Sequence, residues 1–470
     1  MDSRISARAL ETALGGWRTR EPAYEALADG IRLLCLDNRL AAHTLLPAER
    51  ALAQSLRVSR TTVAGAYASL RASGHIRSLR GSGSVTVPQP GRAAGRVAVT
   101  TGAIDLQQAS PPAWPGLAGV IAETAADAAS LVARVGYDTL GSAELRAAIA
   151  ERYMRRGLPT RPDEILVTMG AQSAIHLIAT GLLHRGDRAL VETPTYPHAA
   201  DALRRAGARL VSVPVTPEHG WDLDRAREVF ARTRPALAYL MPTFQNPTGR
   251  VMTLDEQVAM TASARDAGCR VVIDETTADL HFGAAPDLAL TDPEVVRIGS
   301  FGKTVWGGLR VGWIRGDESL LAVLHAARPP LDLGTPEFEQ AVATRLAPHM
   351  DDIVAQRGAL LATGHAALAA ELAARLPDWR VPEVSGGVAL WVGLPAPLSS
   401  PLILAARADE VYLTAGPRFG VDGGHDGRLR IPFTAPPADL RRAVEVLASA
   451  WHRVRDGAPV AALPAVDAVV

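Results

Sequence analysis

The chain has 470 residues, long enough for two or three domains with sizeable cores, and its 48% hydrophobic and 21% charged content is ordinary for a soluble globular protein. Cys35 and Cys269 lie far apart in regions of different character, which argues against a disulfide framework and for free thiols; with no apolar leader after Met1 and no apolar stretch of membrane-spanning length, the expectation is a cytoplasmic protein without a membrane partner. Net charge is zero, yet residues 1–87 hold twelve arginines against seven acids, and in 38–87 seven arginines face Glu49 alone, so a nucleic-acid partner is expected for the first part only.

Residues 1–21 read as a polar arm and 22–87 as a compact helical unit ending in a hairpin. In 22–37, Tyr24, Leu27, Ile31 and Leu34 recur at helical spacing on one face. A second helix is predicted from Pro47 to Leu56, with proline at a first-turn position where its missing N–H costs nothing. Ser59 is placed to cap a third helix that runs to about Ser73 and stops at Gly74. Val63, Tyr67 and Leu70 form its inward stripe, while Thr61, Gly65, Ala68 and Ala72 leave the other face small enough to approach a surface, with Arg60 at the start. That suits a recognition helix entering a major groove by its N-terminal end. Two short strands, His75–Leu79 and Ser84–Val87, flank Arg80-Gly81-Ser82-Gly83 as a wing.

The runs Leu46-Pro47-Ala48-Glu49-Arg50, Leu56-Arg57-Val58-Ser59-Arg60-Thr61-Thr62-Val63, Gly74-His75-Ile76 and Gly81-Ser82-Gly83-Ser84-Val85 resemble the GntR family of winged helix-turn-helix regulators. The resemblance implies Arg50, Ser59, Arg60, Thr61 and Gly83 as contacts to double-stranded operator DNA, and leaves His75 as a turn or packing residue.

Residues 88–103, rich in Pro, Gly and Ala, read as a linker, and 456–470 as a flexible tail. Between them, 104–455 alternates apolar strand-like runs with amphipathic helices, which predicts an α/β domain. Four strand-to-loop junctions each deliver a polar group: Tyr196 after Ala189-Leu190-Val191, Asn246 after Ala238-Tyr239-Leu240, Asp274 after Val271-Val272-Ile273, and Lys303 after Val295-Val296-Arg297-Ile298. Groups at strand carboxyl ends converge in open α/β sheets. Lys303 is the only lysine among 49 cationic side chains. A guanidinium is never a nucleophile, whereas a desolvated amine forms a Schiff base, so the one position where lysine survives is the candidate for covalent chemistry.

The chemistry that fits is pyridoxal phosphate, with no metal. Lys303 holds the aldehyde, Asp274 favours a protonated ring nitrogen, Asn246 donates to the phenolate oxygen, and Tyr196 stacks on the ring. The phosphate falls to the backbone of Gly170-Ala171-Gln172 at a helix start, with the Ser300 hydroxyl and the Arg310 guanidinium.

Gln245-Asn246-Pro247-Thr248-Gly249, Val272-Ile273-Asp274-Glu275, Ser300-Phe301-Gly302-Lys303 and the step of seven from Lys303 to Arg310 resemble a fold-type I, class I aminotransferase over residues 104–455. That resemblance implies a mostly parallel sheet with a smaller C-terminal subdomain, Arg430 as the clamp for a substrate or effector carboxylate, and Tyr137 reaching a cofactor phosphate across a dimer interface. Arg428 is implied to be structural or at the site rim. The chain departs from the family where a tyrosine commonly follows the aspartate, here Thr276 and Thr277, and where a serine often precedes the lysine, here Gly302.

A GntR-type winged helix joined to such a domain resembles the MocR subfamily of bacterial regulators, which implies a homodimer, often head-to-tail, that responds to pyridoxal phosphate or to an amine or amino-acid effector. On that reading the cofactor domain is a sensor with at most weak transaminase activity. The alternative is a functional class I aminotransferase with an accessory DNA-binding module; Asp274, Lys303, Asn246 and Arg430 keep it open, and Thr276 weighs against it.

Overall fold

The computed structural model describes residues 4–14, 17, 22–36, 40, 41, 43–79, 83–87, 102–287, 289–292 and 294–456. The chain divides into two compact units, one within 1–108, 367–381 and 391–470, the other within 109–366 and 382–390. The wing turn Arg80–Ser82, the linker residues 88–101 and the tail residues 457–470 lie outside the described residues.

In the first unit, helices α1 (Ala7–Leu14), α2 (Ala23–Leu36), α3 (Glu49–Leu56) and α4 (Arg60–Ala72) precede the antiparallel pair β1 (Ile76–Leu79) and β2 (Gly83–Thr86). Leu27, Ile31, Leu34, Leu52, Leu56, Val63, Tyr67 and Leu70 close a single core. Each such buried side chain stabilises by at most roughly 1.5–3 kcal/mol. The Ser59 hydroxyl accepts the Thr62 N–H at 3.0 Å, so α4 starts where the sequence predicts, and Gly74 at φ +70° follows its end.

Four expectations change. Residues 7–14 are not a polar arm: they form α1, because Leu10 and Leu14, one turn apart, give that helix an apolar edge that enters the same core. Pro47 is not helical; α3 begins at Glu49, and the Pro47 carbonyl instead accepts the Tyr67 hydroxyl at 2.9 Å. Tyr24 is exposed, not part of the inward stripe of α2. Gly65 is small for an internal reason: a Cβ there would lie 3.2 Å from Cβ of Tyr24, so α2 and α4 cross at this point, while Thr61, Ala68 and Ala72 remain exposed.

A two-residue strand, β3 (Ile104–Asp105), follows in the same unit. The second unit is built on an eight-stranded sheet from β4 (Ile165–Thr168), β5 (Arg188–Thr193), β6 (Arg209–Thr216), β7 (Gly220–Trp221), β8 (Leu237–Leu240), β9 (Arg270–Asp274), β10 (Val296–Ser300) and β11 (Gly312–Arg315). Its spatial order is β4-β11-β10-β9-β8-β5-β6-β7. The central run β10-β9-β8-β5-β6 is parallel, and β11 and β7 run antiparallel to their neighbours. These strands read as near-continuous apolar runs because helices cover both faces of a parallel sheet, and β4 and β8 are buried at every position. Parallel direction brings the carboxyl ends of β5, β8, β9 and β10 to one edge.

The remaining first-unit chain forms a smaller α/β layer. Here β12 (Ala389–Gly393), where the chain passes into this unit, and β14 (Thr414–Ala415) flank β15 (Arg428–Pro432), while β13 (Val411–Tyr412) pairs in parallel with β3. The closing helix Pro437–Arg455 buries Leu440, Val444, Leu447 and Trp451, and Trp451 meets Trp379 edge-on at 5.5 Å. No helix among the described residues is long and apolar enough to cross a membrane.

Candidate functional site

The edge formed by the strand carboxyl ends carries the candidate residues. β9 ends on Asp274, which pairs in register with Ile298 of β10, two residues before Ser300. Asp274 is 2% exposed; its Oδ1 accepts the Thr276 N–H at 2.9 Å and its Oδ2 accepts the Tyr239 hydroxyl at 2.6 Å. Burial pushes its carboxyl above the usual range, and the donors from Thr276 and Tyr239 oppose that shift by favouring the anion. Both donors are neutral, so neither brings a cationic partner to this buried carboxyl.

Lys303 stands half-buried in the loop after β10, its Nζ donating to the Ala109 carbonyl at 2.6 Å. Gly170 lies at the start of the helix Ala171–Leu182 with φ +84°, and no side chain caps that end. A Cβ on Gly170 would lie 2.9 Å from Nη2 of Arg310, and one on Gly312 would lie 2.8 Å from Cα of Gly170. The two glycines therefore let Arg310 and the backbone close around the helix start, and Arg310 Nη2 is fixed by the Met169 carbonyl at 3.0 Å. Free N–H groups, a helix dipole and a guanidinium at one point form an anion cradle. The Ser300 hydroxyl donates to the Val311 carbonyl at 3.1 Å and accepts the Gly302 N–H at 2.9 Å, so it braces this loop.

Of the five buried side-chain oxygens with no hydrogen-bond partner among the described residues, three are Oε1 of Gln172, Oγ1 of Thr195 and Oδ1 of Asn246; the others, on Glu337 and Ser399, belong to no candidate residue. Orphans of this kind cost about 1–3 kcal/mol each unless something satisfies them. Of the first three, two belong to candidate residues and the third adjoins Tyr196. The Asn246 amide edges interchange by a flip, so its orphan is as readily a donor for a phenolate oxygen. An anionic phosphate, a cationic ring nitrogen and a phenolate oxygen are the groups that the cradle, Asp274 and Asn246 lack. Pyridoxal phosphate fits these residues.

Other candidates come from other segments of the chain or play a part that the sequence did not signal. Tyr137 is 70% exposed, within a surface run that also exposes Val132, Val135 and Leu140. Arg430 belongs to the first unit, where its Nη2 donates to the Gln107 carbonyl at 2.6 Å and its guanidinium lies over Phe419 at 4.8 Å. Thr277 donates its hydroxyl to the Thr243 carbonyl at 3.0 Å, so it offers the site no donor. Sequence reading missed Tyr239, whose partner across the β8–β9 pair is invisible without the register. It also passed over Glu192, which is fully buried at the end of β5. A charged side chain in an apolar strand was the available signal for it.

In the first unit, Arg50 and the α4 start, Ser59, Arg60 and Thr61, are all exposed. Arg60 Nε lies 3.5 Å from Oε2 of Glu49 with its side chain 74% exposed, so this rim pair leaves the guanidinium accessible. Gly83 opens β2 at φ +104°, a conformation that L side chains rarely adopt. His75 is buried against Ser73, its Nδ1 3.1 Å from the Ser73 hydroxyl, and burial pushes its imidazole down to about 4. It is a packing residue.

Known proteins carry the same two parts. The family described as Aminotransferase class I and II matches residues 117–447, and the family described as Bacterial regulatory proteins, gntR family, matches residues 23–85. A 2-aminoadipate transaminase of Thermus thermophilus is 32% identical over 368 residues, 73% of this chain and 91% of that protein. The probable rhizopine catabolism regulatory protein MocR of Rhizobium meliloti is 30% identical over 326 residues, 62% of this chain and 65% of that one. Among solved structures, LysN, the alpha-aminoadipate aminotransferase of Thermus thermophilus, complexed with N-(5'-phosphopyridoxyl)-L-leucine, matches with a TM-score of 0.70 and 30% identity over 76% of this chain and 94% of its own. The class I aminotransferase fold and its relatives depend on pyridoxal phosphate. With a cofactor-type edge in one unit and an arginine-bearing helix start in the other, the chain belongs to the class I and II aminotransferase family and, within it, to the MocR-type fusions headed by a GntR DNA-binding domain.

Proposed function

We propose that this protein is an effector-responsive transcription regulator, a homodimer in which the aminotransferase-like domain senses pyridoxal phosphate or an amine or amino acid that reacts with it. One observation carries the reading: the sole lysine of the chain follows β10, the strand paired with β9, whose last residue is the buried Asp274, while the same chain exposes Arg50 near the start of α3 and Ser59, Arg60 and Thr61 at the start of α4. Arg60 and Arg50 meet phosphate or base edges, Ser59 and Thr61 approach at the groove, and Gly83 lets the wing lie against a backbone.

When bound, pyridoxal phosphate supplies an electrophilic carbon and an electron-withdrawing ring. The residues of this chain do the rest. Lys303 provides the amine, Asp274 keeps the ring nitrogen protonated, Asn246 donates to the phenolate oxygen, and Tyr196 covers a ring face. Gly170, Ala171, Gln172 and Arg310 hold the phosphate, with Ser300 bracing their loop. Arg430 is the carboxylate clamp for an amino-acid effector. The exposed side chains of Val132, Val135 and Tyr137 in one short segment support a homodimer, since large apolar groups left in solvent are a feature of interaction surfaces, and Tyr137 then reaches the phosphate of the partner subunit.

The second reading, a working aminotransferase with an accessory reader, is favoured by the likeness to 2-aminoadipate transaminase. Thr276 and Thr277 weigh against it, because neither brings a phenol to the ring and the Thr277 hydroxyl is already committed. Borohydride reduction of the yellow protein should label Lys303, and a suitable amine should change both the spectrum and operator binding with little keto-acid product. Colour unchanged in Lys303→Ala, or a label on the N-terminal amine alone, overturns the site. Turnover of amino acids at about 1–10³ per second makes the protein an enzyme instead.

A further inference from the structure

Two loops that carry proposed cofactor contacts, residues 194–196 after β5 and 245–249 after β8, are joined through one buried side chain that the roles above do not use. Glu192, at the penultimate position of β5, has no exposed surface. Its Oε1 accepts the indole Nε1 of Trp221 at 2.9 Å and the backbone N–H of Met241 at 3.1 Å, and its Oε2 accepts Nε2 of Gln245 at 3.0 Å. The same Gln245 Nε2 donates to the Pro194 carbonyl at 2.7 Å, and Gln245 Oε1 accepts the Thr248 N–H at 3.0 Å and the Thr248 hydroxyl at 2.7 Å. Trp221 is itself anchored, its backbone N–H donating to Oε1 of Glu256 at 3.0 Å.

The donor polarity of this network runs one way. All three partners of Glu192 are N–H donors, so only a group with two acceptor oxygens satisfies them together. Gln245 is then fixed in one amide orientation, because its N–H edge must meet Glu192 and Pro194 while its oxygen meets Thr248. Asn246 follows Gln245 directly, and Tyr196 lies two residues beyond Pro194. The ring face and the phenolate donor therefore share one brace, and a supporting layer of this kind sets the geometry of residues that touch a ligand.

We propose that Glu192 is a positioning residue for the cofactor ring, holding the Asn246 and Tyr196 loops at one separation through Gln245. The proposal rests on the assignment of Asn246 and Tyr196 to the ring. Glu192→Gln is nearly isosteric but turns one acceptor into a donor, so two N–H groups face each other at Gln245. That amide then flips and gives up Pro194 and Thr248. Gln245→Met keeps the volume and removes the link from the loop side, leaving Glu192 its bonds to Trp221 and Met241.

The test uses the full-length protein. Cofactor affinity is measured by titration, and the visible circular dichroism of the bound cofactor reports the asymmetric setting of its ring. Each folded variant is expected to bind at least ~10-fold more weakly, equivalent to about 1.4 kcal/mol, with a diminished dichroic band, while the cofactor-free protein still unfolds cooperatively. The double variant should lose no more than the worse single one, because both break the same link. If Glu192→Gln does not fold, Gln245→Met carries the test alone. A folded variant with wild-type affinity and a wild-type band overturns the proposal. A wild-type protein that neither turns yellow nor takes a borohydride label at Lys303 is a different failure, that of the cofactor site itself.

Discussion

The hydroxyl of Tyr239 donates to Oδ2 of Asp274 at 2.6 Å, joining two buried residues on the neighbouring strands β8 and β9. Burial favours the neutral carboxyl, whereas this bond and the Thr276 N–H favour the anion. On the function proposed above, the aspartate receives a cationic ring nitrogen. Tyr239→Phe should destabilise the protein by about 1.5–3 kcal/mol, the range for a hydrogen bond to a charged group, as read by denaturant unfolding. It should also raise the Asp274 carboxyl further, so that cofactor affinity fails at a higher pH than in the wild type as the solution is acidified. An unchanged pH profile of affinity would detach Tyr239 from the cofactor.

Gly170 is irreplaceable on two counts: φ is +84° and ψ 171°, and a Cβ would lie 2.9 Å from Nη2 of Arg310. The backbone strain alone is about 1–3 kcal/mol for a residue with a side chain. Gly170→Ala should weaken cofactor binding more than it lowers stability, because displacement of Arg310 opens the cradle. Isothermal titration alongside thermal melting separates the two effects, and equal losses in both would assign Gly170 to the fold alone.

Glu192 carries a pH signature. Burial pushes its carboxyl up to about 7 from the ordinary 4.5, opposed by the donors Gln245, Met241 and Trp221 and reinforced by the negative charge of Asp274. Tyr239 also interacts with it electrostatically, and burial holds that phenol neutral. A raised carboxyl binds more protons in the native than in the unfolded state between these two values. Its contribution to stability is present below about pH 4.5 and is lost as pH rises through about 7. Stability measured against pH should therefore fall more steeply over that window in the wild type than in Glu192→Gln, and parallel curves would show that Glu192 keeps an ordinary titration.

DNA recognition and cofactor binding should be separable. Arg60→Ala and Arg50→Ala are expected to leave cofactor absorbance intact and weaken operator binding. A lost phosphate contact lowers the salt slope by roughly 1, and a lost base contact costs about 1–3 kcal/mol and relaxes specificity. Wild-type affinity in both variants would place the recognition surface elsewhere than the start of α4.

Arg430→Ala should distinguish effector classes. A spectral response to amino acids should fade while that to amines lacking a carboxylate persists, since a guanidinium recognises a carboxylate through paired N–H groups. Loss of both responses together would make Arg430 a structural residue, held where it is by Phe419 and the Gln107 carbonyl.

The chemistry proposed for this protein is argued from its sequence because it calls on residue types that few others can replace. Lys303 is the one amine among guanidiniums, Asp274 ends an apolar strand, and Asn246 sits in a run whose turn residues mark a strand-to-loop junction. Periodicity also predicted α4, its cap at Ser59 and its stop at Gly74, since those signals lie within a few residues of each other. Relations between distant segments were not legible. That Gly65 is small to admit Tyr24, that Leu10 and Leu14 of the supposed arm complete the core of the first unit, and that Tyr239 and Glu192 bond to Asp274 and Gln245 all depend on which strands and helices become neighbours. Period and propensity describe what one element presents, and they carry no information on what it meets. Burial and hydrogen-bond partnership belong to pairs of elements, so only the tertiary structure decided them.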